Sequence, residues 1–137
     1  MEYIPSCLPR RLWTLRRAAR GAGKIIDTEL VRIKKAIDTV EYDRNPAFQT
    51  LFKHFLDHNS TLHIQGLIGD GGVHAHQDHL FAFLKAAEKA GVKKVAIHVF
   101  TDGRDTPPQS AAKYIAELEA ILKVIPIGFI ATISGRF

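Results

Sequence analysis

Three short segments place glycine beside groups that can hold an anion or move a proton. They are Gly69-Asp70-Gly71-Gly72-Val73-His74, Thr101-Asp102-Gly103-Arg104-Asp105 and Ser134-Gly135-Arg136. Glycine lets a backbone turn tightly or come close to a ligand. Arg104 and Arg136 carry planar forks that match phosphate or carboxylate bidentately, and His74 adds an imidazole. Asp105 has the wrong sign for an anion site. It suits a substrate hydroxyl instead, as hydrogen-bond acceptor or as the candidate acid or base. Taken singly, each segment also reads as turn chemistry, with Arg104 and Asp105 a solvated pair.

The elements between these segments predict that they converge. Ile26, Leu30, Ile33, Ile37 and Val40 recur at helical spacing, predicting a helix over about 27–43. Asn45-Pro46 forms an N-cap followed by a first-turn proline, and Phe48, Leu51, Phe52, Phe55 and Leu56 form the stripe of a second helix. After a turn at Asn59-Ser60, residues 61–68 read as a strand. A helix follows over about 76–90, stopped by Gly91. Residues 93–100 read as a strand, 108–123 as a helix opened by Pro107 and Pro108, and 127–133 as a third strand. The expected helix face is Ala111, Ile115, Leu118 and Leu122.

The expected fold class is therefore α/β. A β-α-β-α-β parallel sheet with flanking helices, part of a three-layer domain, is preceded by two helices and a basic N-terminal arm. Ligands of such sheets lie beyond the carboxyl ends of the strands, where all three glycine segments fall. His74, Arg104, Asp105 and Arg136 are thus expected around one mouth.

Residues 74–79, His-Ala-His-Gln-Asp-His, offer a competing chemistry, because this spacing matches the zinc-ligand pattern of metal-dependent hydrolases. That architecture is rich in strands and needs later ligands, yet only His98 follows residue 79, in the middle of a strand. In the helical reading His76 and His79 lie one turn apart, with Asp78 in the first turn, where the helix dipole favours it. His54, His58 and His63 read as surface or strand-edge residues, and His98 as a satisfied core or edge histidine.

Composition narrows the partners. The chain has 137 residues, 46% hydrophobic and 24% charged, which suits one folded domain and argues against disorder. No apolar run is long enough for a membrane span, and the single cysteine, Cys7, permits no internal disulfide. The formal charge of +5 is concentrated at one end. Residues 1–20 carry five arginines against one acid, while 21–137 carry 14 basic and 13 acidic residues. The body offers no basic face for nucleic acid. The arm, MEYIPSCLPRRLWTLRRAAR, has the Arg-rich, acid-poor character of a mitochondrial transit peptide, without the usual serines.

Residues 62–119, LHIQGLIGDGGVHAHQDHLFAFLKAAEKAGVKKVAIHVFTDGRDTPPQSAAKYIAELE, and the closing IATISGRF resemble the cofactor-independent (2,3-bisphosphoglycerate-independent) phosphoglycerate mutase family. DGGVH, DGRDTPP and SGR[YF] at these separations are specific together, and GAGKIIDTELVRIKKAI upstream resembles the family's GAGR segment. The resemblance runs over residues 21–137, about a quarter of a full-length member.

The resemblance implies a cytoplasmic, glycolytic isomerase interconverting 2- and 3-phosphoglycerate. A phosphatase-like domain with two manganese or magnesium ions would carry a serine that accepts the phosphoryl group, and an inserted phosphotransferase domain would hold the glycerate. Residues 21–137 correspond to the start of that inserted domain, with 1–20 as an atypical arm. His74, Arg104, Asp105 and Arg136 match the family's substrate-binding positions, with Asp105 the candidate for proton handling. No metal ligand is carried over. The family's serine lies in a GNSEVGH segment a fixed step before GAGR, which here falls at about Trp13 in RRLWTLRRA. The expectation is a chain inactive alone that needs the phosphatase-like domain as partner. The arm reads as a targeting peptide, a non-native leader or a shifted reading frame. The other function class is a degenerate, non-catalytic protein that binds small phosphorylated acids or a partner.

Overall fold

The computed structural model describes residues 23, 27–39 and 41–135. The expected arm over 1–20 and Arg136 lie outside them. Helix α1, Glu29–Asp38, starts where the Thr28 hydroxyl accepts from the Val31 N–H at 3.4 Å. It ends earlier than the apolar spacing predicts. The Thr39 hydroxyl donates to the Lys35 carbonyl at 2.9 Å, and residues 41–44 turn instead of continuing the helix. Helix α2, Pro46–His58, has the expected cap: Asn45 Oδ1 accepts from the Ala47 N–H at 2.9 Å. Asn59 closes it in the left-handed region, at φ 47°.

Strands β1 (Leu62–Ile68), β2 (Val95–Thr101) and β3 (Gly128–Ser134) form a parallel sheet in that order. Helix α3, Gln77–Lys89, connects β1 to β2, and α4, Ala111–Val124, connects β2 to β3. Two right-handed crossovers advancing in one direction put both helices on one face. Helix α4 begins three residues later than the prolines suggest. Gln109 takes φ 68° and the Ser110 hydroxyl donates to the Pro107 carbonyl at 2.6 Å, so 107–110 form a separate turn.

The buried centre alternates along β2: Val95, Ile97 and Val99 point to the helices and meet Leu84 of α3 and Leu118 of α4. The α4 face is rotated from the expected one. Tyr114 and Leu118 are its buried residues, with Ile121 and Leu122 packed against the core. Helix α2 joins through rings, Phe48 and Phe52 lying 5.2 and 5.5 Å from Phe83 of α3. The opposite face of the sheet keeps Phe100 and Phe129 about 41% exposed, so the three-layer expectation is met on one side only among the described residues. There His63 and His98 share a hydrogen bond between ring nitrogens 3.0 Å apart, and the other nitrogen of His98 bonds Thr132 at 3.0 Å. His98 is satisfied, as expected.

What positions the site is the level end of the sheet. Ile68 pairs with Thr101 and Phe100 with Ser134, so the three strands finish side by side, and the loops after β1 and β2 leave at one edge.

Candidate functional site

The loop after β1, residues 69–76, and the loop after β2, residues 102–110, pack backbone to backbone. A Cβ on Gly71 would stand 2.7 Å from the Asp105 carbonyl oxygen, and one on Gly69 would stand 2.8 Å from Thr106 Cγ2. Neither position tolerates a side chain without movement, so the two glycines are what bring the loops together. Gly69 also has φ 149°, a conformation that favours glycine. Its carbonyl accepts from the Gln77 N–H at 2.9 Å, tying the loop to the first turn of α3.

Asp102 shapes the second loop. Its Oδ1 accepts from the N–H groups of Gly103, Arg104 and Asp105 at 2.7, 2.9 and 3.3 Å. This is side-chain turn chemistry, an aspartate replacing backbone partners. It turns the chain so that Asp105 faces the first loop. His74 Nε2 lies 3.7 Å from Asp105 Oδ2, with the His74 side chain 65% exposed and that of Asp105 15% exposed. The separation is too long for a hydrogen bond. Asp105 Oδ2 is buried with no hydrogen-bond partner. A largely buried carboxylate with an unsatisfied oxygen therefore faces an accessible imidazole. Such a pair can take a ligand hydroxyl or an acidic proton between its two members.

The structure thus brings together two of the expected residues from different loops, His74 and Asp105. Arg104 is exposed on the same loop as Asp105, and Asp105 pairs with His74 and not with Arg104, so the solvated Arg104–Asp105 pair is not what forms. A narrow cleft of about 10 Å³, room for about one water, runs between the loops, with Gly71, His74, Asp102 and Asp105 in its walls. Beside His74 a second cavity, about 290 Å³ and mostly apolar, opens under β1 over Gly66, between Tyr42 and Phe83.

Two supporting residues escaped the sequence reading. Asp102 was indistinguishable from an ordinary turn aspartate. Tyr114 of α4 donates its hydroxyl to Asp70 Oδ1 at 2.5 Å. That bond, then desolvation, pushes the tyrosine hydroxyl above its ordinary value. The only available signal was helical spacing, since Tyr114 stands four residues before Leu118.

Residues 74–79 do not form the hydrolase centre weighed as an alternative. His76 is the N-cap of α3, its Nδ1 accepting from the Asp78 N–H at 3.2 Å, so one potential ligand atom is already used. His79 sits one turn on, its ring 5.9 Å from that of His76. Burial and the neighbouring His76 hold its pKa below the usual histidine value, against the opposing pull of Asp78. Among the described residues no group of three His, Cys, Asp or Glu side chains is placed to hold a metal ion. The two divalent ions implied by the resemblance find no ligand set there either.

Comparison with known proteins gives the family. The family described as BPG-independent PGAM N-terminus matches residues 33–137. The chain is 48% identical over 117 residues to a 2,3-bisphosphoglycerate-independent phosphoglycerate mutase of Chloroflexus aggregans, covering 85% of this chain and 22% of that protein. A Listeria innocua protein of the same name is 49% identical over 117 residues, with 85% and 23% covered. Among solved structures, a Leishmania mexicana phosphoglycerate mutase at low cobalt concentration superposes with a TM-score of 0.69 and 32% identity. That match covers 77% of this chain and 20% of the other. The chain spans under a quarter of the length of these relatives. With a strand-end loop pair, a parallel sheet and matches over most of its length, this chain belongs to the 2,3-bisphosphoglycerate-independent phosphoglycerate mutase family.

Proposed function

We propose that residues 21–137 form part of the phosphotransferase domain of a glycolytic isomerase and supply one side of the site that holds 2- or 3-phosphoglycerate. The observation that carries this is the His74–Asp105 pair, with the unsatisfied Asp105 oxygen between two loops at the carboxyl edge of the sheet. Arg104 and Arg136 hold the carboxylate or phosphate through charge-assisted bonds worth about 1.5–3 kcal/mol each. His74 adds a ring nitrogen to the same anion. Asp105 accepts from the glycerate hydroxyl and handles its proton during transfer.

Turnover requires the phosphatase-like domain. There two manganese or magnesium ions would activate the phosphoryl acceptor, whose position in this sequence falls at about Trp13, a side chain unable to accept it. The chain alone is therefore a binding unit without mutase activity. A glycolytic role would suit the cytoplasm. Among the described residues no helix is long and apolar enough to cross a membrane.

Titration of isotope-labelled chain with 3-phosphoglycerate tests the reading. Amides of 69–74, 101–105 and 134–136 should shift at high ligand, Arg104→Ala should abolish the response, and Arg16→Ala in the arm should leave it intact. Loss of binding in the arm variant with retention in the loop variant would sink the strand-end site.

A further inference from the structure

The two loops are tied to a third element by a single side chain. Tyr114 belongs to the first turn of α4 and is 3% exposed. A buried tyrosine hydroxyl needs a partner, and here that partner is the carboxylate of Asp70, at 2.5 Å. The ring also lies beneath the loop: a Cβ on Gly69 would be 3.7 and 3.8 Å from two of its carbons. Asp70 stands between the two glycines that contact the second loop, Gly69 against Thr106 and Gly71 against Asp105. Helix α4 follows directly from the loop that carries Asp105. One hydroxyl thus joins the His74 loop to the helix that continues the Asp105 loop. The Gly69–Gln77 backbone bond ties the same loop to α3.

We infer that Tyr114 is a positioning residue: through Asp70 it fixes the residue 69–74 loop so that His74 stands against Asp105. The importance of this for ligand rests on the proposed site, whereas the positioning itself does not. A hydroxyl-to-carboxylate bond suits the task because it is directional and, with the ring buried, leaves Asp70 one geometry.

The full chain carrying Tyr114→Phe, which removes one oxygen and keeps the ring, tests it by NMR. The amide shifts of 95–101 should stay in place, showing an intact sheet. The nuclear Overhauser contacts between the His74 ring and Asp105 should disappear, and amides 70–74 should exchange about tenfold faster, the scale of one hydrogen bond to a charged group. Half-saturation by 3-phosphoglycerate should rise about threefold to tenfold, as for loss of one hydrogen bond. Asp70→Ala should reproduce these losses, and Asp70→Asn, whose amide oxygen can still accept, should restore most of the contacts. Retained His74–Asp105 contacts in Tyr114→Phe overturn the inference. If that variant does not fold, retained contacts in Asp70→Ala overturn it equally. If wild-type chain shows no response to 3-phosphoglycerate while the contacts depend on Tyr114, the ligand reading fails and the positioning role stands.

Discussion

A methyl group on Gly71 would come within 2.7 Å of the carbonyl oxygen of Asp105, closer than non-bonded atoms approach, and the obstacle is backbone. The absence of a side chain at Gly71 is therefore what lets the loops after β1 and β2 share a cleft. Gly71→Ala should force them apart at a cost of about 1–3 kcal/mol, the usual scale of overpacking. Gly103→Ala meets nothing within 4 Å and should stay within about 0.5 kcal/mol of wild type, as surface changes do. Urea unfolding of the two variants decides the point, and equal losses would show that crowding at Gly71 is not what matters.

Asn45 caps α2 by accepting from the Ala47 N–H at 2.9 Å. Asn45→Ala should lower stability by about 1 kcal/mol, and Asn45→Asp, which keeps an acceptor, should lower it far less. The shift in denaturation midpoint at constant slope is the measurement.

His79 is held below its ordinary pKa of 6.5 by burial and by His76. The unfolded chain therefore takes up a proton there at higher pH than the folded one. Stability from this group is fully present above pH 6.5 and is lost as pH falls through the lowered folded value. Stability curves of wild type and His79→Gln should run parallel above that pH and converge below it. Parallel curves throughout would contradict the burial of this ring.

Tyr114 behaves in the opposite sense. Its hydroxyl is raised above 10.0, first by the bond to Asp70 and then by desolvation. The folded chain keeps its proton where the unfolded chain has lost it, so this contribution is complete below pH 10 and is lost as pH rises through the folded value. Above pH 10 wild type should lose stability more steeply than Tyr114→Phe. Tyr42, also raised by burial, is common to both and cancels in the difference.

Much of the fold was legible because its signals are local. Asn45-Pro46 opens α2 as a cap and first-turn proline should, and Gly91, at φ 90°, stops the α3 segment. The strand–helix alternation after residue 60 implied the parallel sheet by itself. The errors lie where local chemistry competes. Residues 41–44 turn where the apolar spacing would continue α1, and Gln109 entered the left-handed region and delayed α4 beyond its prolines. The buried face of α4 shifted to Tyr114 because apolar spacing alone does not say which stripe a sheet will cover.

His74, Arg104 and Asp105 were named from residue type and from the rule that sheets of this class bind ligands at strand ends. Sequence determined that much, since glycine, charge and strand order are written residue by residue. Only the tertiary structure decided that Asp105 faces His74 and not Arg104, and that Tyr114 reaches Asp70 across 44 positions of chain. Those outcomes depend on contacts between segments far apart in sequence. Their distances are set by how α4 packs on the sheet and how closely the Gly71 backbone approaches that of Asp105.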